Sequence, residues 1–227
     1  MMKVISLGGS IVAPDGVDAA YLKEFRACVR DYLAEDAGRR LVLVIGGGGP
    51  ARRYQGVYRE ISENPESDVQ DWIGIAATRL NGELVRGLFS KECPDALVTD
   101  PQEAVFTGRV LVAAGWKPGF SSDYDAVFLA DRFGADTVVN LSNISRVYTA
   151  DPRLDPAAKP LDRLGWAEFR GIVGDEWTPG KNAPFDPIAA KKAAELKMTV
   201  VVAAGKDLGN IASLLRGKPF FGTTITG

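Results

Sequence analysis

Two glycine-bearing segments carry the most legible chemistry in this chain. Leu7-Gly8-Gly9-Ser10 follows the apolar pair Val4-Ile5, and Gly46-Gly47-Gly48-Gly49 follows the run Leu41-Val42-Leu43-Val44-Ile45. Short apolar runs of this kind read as buried parallel strands. Glycine at a strand's end lets bare backbone N–H groups approach an anion, and a helix N-terminus just beyond adds positive potential. Arg52 lies just past the second cluster, where its guanidinium fork suits a phosphate. Two anion cradles in one chain imply two phosphorylated groups brought together, the arrangement that phosphoryl transfer requires.

Composition narrows the chemistry further. The chain has no histidine, which removes Ser-His-Asp, Cys-His and histidine–metal mechanisms. Carboxylates, Lys, Arg, Ser/Thr and backbone amides remain, with Mg²⁺ as the expected inorganic helper and no dedicated protein metal site. Cys28 and Cys93 lack metal-ligand spacing and are expected to be reduced thiols. A net charge of −2 with no basic run argues against nucleic acid or an anionic membrane as partner. No stretch approaches a membrane span, and the N-terminus enters a strand pattern at once, so a cytoplasmic protein is expected. At 227 residues, 46% hydrophobic and 25% charged, the chain suits one large α/β domain with a real core.

The elements that must position these residues alternate along the chain. Strand-like runs fall at residues 3–7, 40–45, 96–99, 110–113, 137–141 and 198–202. Helical patterns fall at 19–33, 50–61, 70–88, 123–133, 166–172, 187–195 and 210–215. Such alternation with short connections predicts βαβ units and a mostly parallel sheet with helices on both faces. Residues 63–68, 148–164 and 174–187 are rich in Pro, Asp, Gly or Asn. They read either as plain surface loops or as loops at the carboxyl edge of the sheet, where open α/β folds bind ligands.

Each motif has a competing structural reading. Gly46-x-Gly48-x-x-Ala51 fits a loose dinucleotide fingerprint, but the acidic residue expected about 20 positions on has no strand to sit on. A Gly-Lys-Ser/Thr phosphate loop is absent, so the four glycines point to backbone-only contact or to a tight strand-to-helix turn. Ser121 and Ser122 suit either an anion or a helix start, and Asp123 a helix cap. Tyr148-Thr149-Ala150-Asp151-Pro152 suits a flat base, or simply a turn.

Taken as an ordered set, the segments VISLGGSI, VIGGGGPARRY, DWIGIAATRLNGE, KPGFSSDYDAV, VYTADPRLDPAAK, FDPIAAKKA and GTTIT resemble the amino acid kinase superfamily, and within it the archaeal-type uridylate (UMP) kinases. The resemblance runs from residue 3 to residue 226. It implies a three-layer α/β/α sandwich with a mostly parallel central sheet, the carbamate kinase-like fold. It also implies one domain over residues 1–227, with an acceptor lobe at about 1–135 and a donor lobe at about 136–227. By the same resemblance ATP and UMP are the substrates, with Mg²⁺ accompanying ATP, and the assembly is a homo-oligomer, usually a hexamer built from dimers, often under feedback by UTP. Gly46, Gly47 and Arg52 match the acceptor-phosphate positions, Asp71 the ribose-binding carboxylate, and Gly74, Thr78 and Asn81 the helix lining that pocket. Ser121, Ser122 and Asp123 match the stretch near the acceptor phosphate, and Gly8, Gly9 and Ser10 the loop facing the transferred group. Tyr148 and Asp151 match the donor loop together with Ser145, while Asp186 and Lys191 fall in the donor-side helix motif.

The physical chemistry agrees with that expectation. A nucleoside monophosphate already carries an ionised oxygen near neutral pH (second pKa about 6), so the nucleophile needs no general base. Alignment and charge neutralisation then suffice. The lack of histidine also weighs against the related isopentenyl phosphate kinases. Two positions depart from the family pattern. Ser6 stands where many members carry a lysine, with Lys181, Lys191 and Lys192 as candidate substitutes. Asn143-Ile144-Ser145-Arg146-Val147-Tyr148 replaces Asn-Val-Asp-Gly-Val-Tyr, so Arg146 either adds charge beside the donor or blocks it. These departures define the alternatives: a weakened or non-catalytic relative that binds a nucleotide or oxyanion for regulation or storage, or a kinase of a small carboxylate or carbamate. Asp71 argues against the last, because it would repel an acidic substrate.

Overall fold

The computed structural model describes residues 2–176 and 183–227. Its central sheet has seven strands in the order β3-β2-β1-β4-β8-β9-β7. They are β1 (Met2–Leu7), β2 (Arg40–Ile45), β3 (Val110–Ala113), β4 (Thr137–Ser142), β7 (Arg163–Gly165), β8 (Thr199–Ala204) and β9 (Thr223–Thr226). All neighbouring pairs are parallel except β8–β9. A two-stranded antiparallel ribbon joins β5 (Val147–Tyr148) to β6 (Pro160–Leu161).

Period-two alternation along the strands divides the core between two faces. Val4, Val42, Val44, Leu111, Val138 and Val200 look one way, toward α5 (Ser122–Phe133), α6 (Trp166–Val173) and α7 (Pro187–Glu195). Ile5, Leu7, Leu43, Ile45, Val139 and Val201 look the other way, toward α2 (Ala19–Ala34) and α8 (Leu208–Leu215). The result is the expected three layers. Helix starts are set by side chains: Asp18, Ser121, Asp186 and Asp207 each accept the N–H three residues on, and Pro187 opens α7. The remaining helices are α1 (Gly9–Val12), α3 (Gly48–Ile61) and α4 (Ser67–Leu88).

Three sequence expectations need correction. Residues 96–99 form no strand; only Val98 bridges Ala113, at the sheet's edge. The stretch 148–164 is not wholly irregular, since it supplies part of β5, all of β6 and most of β7. The C-terminal Gly-Thr-Thr-Ile-Thr run becomes β9, with Thr223 and Ile225 fully buried. A single aliphatic residue gave no apolar run to read, yet β-branched threonines suit a pleated surface.

The order in which strands are added reverses at β1, with every strand there still parallel. The strands that follow it in sequence, β2 and β3, lie to one side, and β4 and β8 to the other. Ligands of open α/β sheets gather beyond the carboxyl ends at such a switch point. Here those ends carry the two glycine turns, and the turns touch. A Cβ on Gly9 would lie 2.0 Å from the Gly48 nitrogen, and one on Gly46 would lie 2.4 Å from the Gly9 nitrogen. Gly48 also has φ +67°, a left-handed conformation that glycine adopts at little cost. Gly9→Ala and Gly46→Ala are therefore expected to destabilise the fold by about 3 kcal/mol or more, because backbone rather than a flexible side chain must yield. Gly87→Ala, in α4 with nothing within 4 Å of the added carbon, is expected to be neutral or to stabilise by up to about 1 kcal/mol. Urea unfolding midpoints check the contrast.

Candidate functional site

The acceptor-side residues of the sequence reading converge on the turn after β2. Asn81, buried on α4, donates its side-chain amide to the carbonyls of Gly46 (2.9 Å) and Gly47 (3.1 Å), fixing the turn from below. Gly47 lies against Gly74 and Thr78 of the same helix. The Thr78 hydroxyl accepts from Gly115 N–H (2.8 Å), and the Asp71 carboxylate accepts from Gly119 N–H (2.9 Å). Both bonds pin residues 114–121, the segment that delivers Ser121, Ser122 and Asp123. Arg52 is exposed on α3, its Nη2 donating to the Pro14 carbonyl (3.1 Å). The N–H groups of Gly9, Ser10, Gly47 and Gly48 donate to no acceptor among the described residues. Four such donors at two touching helix starts form an anion-seeking surface.

Asp123 sits at the centre, and its setting explains why Ser6 is where it is. Alternation turns Ser6 of β1 and Asn140 of β4 toward the α5 face, and the sheet register places them side by side. Ser6 Oγ donates to Asp123 Oδ1 (2.7 Å) and Asn140 Nδ2 to the same oxygen (3.2 Å), while Asp186 N–H donates to Oδ2 (3.2 Å). None of these partners is a cation. Burial pushes the Asp123 carboxyl up to about 6, and neighbouring Asp186 adds repulsion against its hydrogen bonds. Burial likewise raises Asp186 above the usual carboxylate range, although it caps α7 through Ala189 N–H (2.7 Å) and bonds to Ser121. Asp123 is the second residue of α5 rather than its cap, a role taken by Ser121.

This donor set suits a hard cation brought in on phosphate oxygens, which needs only one or two carboxylates from the protein. Asp123 and Asp186 supply two, close together and without a positive neighbour among the described residues. Among the described residues no group of three or more His, Cys, Asp or Glu side chains could hold a metal by itself.

On the donor side, Gly8 N–H bonds to the Leu141 carbonyl (2.8 Å), so the first turn abuts the end of β4 where residues 143–148 begin. Ser145 and Tyr148 are half-buried there. Asp151 is less free than the sequence implied. It accepts from Arg153 N–H and pairs with the Arg153 guanidinium at 2.7 Å, which holds its carboxyl down near 2. Lys191 is exposed on α7 and shares no hydrogen bond or ion pair with the Asp123 network among the described residues. Lys192 is on the same helix, and Lys181 lies outside the described residues.

The sequence reading missed Asn140 and Asp125. A polar residue inside the run Val138-Val139-Asn140-Leu141 was the available signal for the first. Asp125 is buried, accepts from Trp116 N–H through Oδ2 (3.2 Å) and leaves Oδ1 without a partner among the described residues. Burial foremost, and then the charge of Asp123, push it up to about 7 against a reference of 3.8. The folded chain thus holds this proton more tightly than the unfolded one. The stability gained is complete below about pH 4 and is lost as the pH climbs through about 7. Asp125→Asn is expected to flatten the stability–pH curve of the ligand-free chain over that window by on the order of 2–4 kcal/mol. Denaturant unfolding at stepped pH checks this; an unchanged slope refutes it.

Comparison with known proteins adds independent support. The amino acid kinase family profile matches residues 1–204. The chain is 36% identical to the uridylate kinase of Methanospirillum hungatei, covering 98% of this chain and 94% of that one. It is 34% identical to that of Hyperthermus butylicus, covering 99% and 97%. The crystal structure of uridylate kinase from Archaeoglobus fulgidus superposes with a TM-score of 0.85 at 32% identity over 100% of both chains. A UMP kinase structure from Bacillus anthracis, at 18% identity and a TM-score of 0.78, shares the fold. With the profile spanning nine-tenths of its length and relatives aligned end to end, the chain belongs to the amino acid kinase family.

Proposed function

We propose that the protein is a UMP kinase, transferring the γ-phosphoryl group of ATP to UMP to give ADP and UDP. The observation that carries this reading is the contact between the two glycine turns at the sheet's switch point, one on the acceptor side beside α4 and the other abutting the donor loop. The full-length likeness to uridylate kinases supports the substrate pair. Residues 1–135 would then hold the acceptor and residues 136–227 the donor.

The amides of Gly47 and Gly48 and the Arg52 guanidinium would bind the UMP phosphate, and Asp71 the ribose hydroxyls, with Gly74, Thr78, Ser121 and Ser122 shaping the pocket. The amides of Gly9 and Ser10 would meet the transferred phosphoryl group, where fixed dipoles stabilise charge without reorganising. Ser145, Tyr148 and Asp186 would line the ATP side. Mg²⁺ bound with ATP supplies neutralisation of the phosphate charge, and Asp123 and Asp186 are the residues that would face it. The ionised acceptor oxygen needs no proton removed, so Asp123 serves by orientation and charge and not as a general base. The non-catalytic reading loses its footing at both departures. Ser6 completes the Asp123 network, and Arg146 is turned against Asp162 and Phe221.

A homo-oligomer is part of the same proposal. Tyr54, Val57 and Ile61 form one exposed row on α3, at a helical spacing of three and four residues. Leu80 and Leu84 of neighbouring α4 are exposed as well. Exposed apolar side chains in this number support burial against another copy. Light scattering is expected to give a multiple of 24.3 kDa, and a strictly monomeric mass refutes it.

The function itself is tested by ADP release across UMP, CMP, AMP and GMP, with and without Mg²⁺. Mg²⁺-dependent turnover with UMP is expected; silence with all four overturns the reading. In the same assay Arg52→Ala is expected to weaken UMP binding by about 1.5–3 kcal/mol while leaving ATP binding intact. Equal loss for both nucleotides would make Arg52 a structural residue.

A further inference from the structure

Arg146 occupies a position where the related pattern has glycine, and its surroundings explain what the larger residue does. The guanidinium carbon lies 3.6 Å from the centre of the Phe221 ring, and Nη1 pairs with Asp162 Oδ1 at 2.7 Å. The Arg146 side chain is only 18% exposed, whereas that of Asp162 is 79% exposed. The Arg146 Nε–H is buried without a hydrogen-bond partner among the described residues, a cost that the ring stack and the ion pair must offset.

Three chain segments meet at this point. Residues 143–148 contribute Arg146. The junction between β6 and β7 contributes Asp162, whose carbonyl accepts from Thr224 N–H (2.9 Å). The turn before β9 contributes Phe221, bracketed by Asn210 of α8 through two 2.7 Å bonds to its backbone N–H and C=O. One residue along from Arg146, Val147 N–H donates to the buried Thr223 hydroxyl (2.8 Å), which in turn donates to the Leu161 carbonyl. Tyr148 then pairs with Pro160.

We propose that Arg146 is a positioning residue that locks residues 143–148 against the turn before β9, holding Tyr148 and Ser145 in place for the donor nucleotide. The inference rests on the kinase reading above for its consequence, but not for the lock itself. A direct role on phosphate fits less well. One face of the guanidinium is covered by Phe221 and its charge is already met by Asp162, so reaching a phosphate would break both contacts. A loop fixed before the nucleotide arrives loses less freedom on binding, which favours affinity for the donor alone.

The two contacts are not equal. An ion pair to a carboxylate this exposed contributes little, while a shielded guanidinium on an aromatic face contributes more. Hence Phe221→Ala and Arg146→Gln should act alike, and Asp162→Asn should be mild.

The test uses the full chain and two readouts. Hydrogen–deuterium exchange is expected to quicken at residues 146–149 in Phe221→Ala and Arg146→Gln, with the central strands unchanged. Steady-state kinetics are expected to show KM for ATP rising about five- to tenfold and KM for UMP unchanged. Phe221→Tyr keeps the ring and is expected to keep both properties, and combining Phe221→Ala with Arg146→Gln should add little. Unchanged exchange in both single variants overturns the lock. Faster exchange with unaltered KM for ATP overturns its role in donor binding. If Arg146→Lys preserves KM for ATP while Phe221→Ala has no effect, the charge acts directly and positioning is refuted. A wild-type chain that neither binds ATP nor turns over overturns the kinase reading, and the exchange experiment still decides the lock.

Discussion

The whole site depends on backbone meeting backbone. Two helices, α1 and α3, start from adjacent strands, and their first turns approach closely enough that a methyl group on Gly9 or Gly46 would overlap the other turn. This closeness brings together the four amides of Gly9, Ser10, Gly47 and Gly48, which are unpaired among the described residues. A pair of turns separated by ordinary side chains would make two anion sites instead of one continuous surface. The contact also explains why the tetraglycine needs no lysine of its own. Its electrostatics come from main-chain dipoles held in place by Asn81 from beneath and by the Gly8–Leu141 bond from the side.

Behind that surface the polar interior is arranged around acids in place of bases. Ser6 and Asn140 reach Asp123 because β1 and β4 are in register and their side chains alternate onto the same face. Hydrogen bonds satisfy the carboxylate's lone pairs without supplying positive charge, which is why burial still dominates and lifts it to about 6. A serine at position 6 holds the carboxylate by a hydrogen bond and sets no cation beside it.

How much of this was legible in the sequence differs with the kind of signal. β2 and β8 announced themselves through continuous aliphatic runs, β1 and β4 through apolar runs broken by Ser6 and by Asn140, and the glycine clusters after β1 and β2 marked the turns. β9 did not, because two threonines, an isoleucine and a threonine look polar until the buried positions of Thr223 and Ile225 are known. Roles that rest on proximity were least legible. Asp151 reads as a free carboxylate until Arg153 is seen folded back on it, and nothing in the spacing joins Arg146 to a phenylalanine 75 positions on. Lys191 shows the converse, since its place in a helix motif says nothing of the direction in which its ammonium points.

The asymmetry between the two halves of the site follows from what each must do. On the side proposed for the acceptor, α4 is tied to the tetraglycine by Asn81 and to residues 114–121 by Thr78 and Asp71. On the side proposed for the donor, a two-residue ribbon, a buried threonine and a stacked arginine give residues 146–148 their shape. Between the two stand Asp123 and Asp186, a pair of acids that burial makes costly when both are ionised. In the proposed reaction a cation entering with its phosphates would lower that cost, and nucleotide binding energy would in part be used to relieve the repulsion between the two acids.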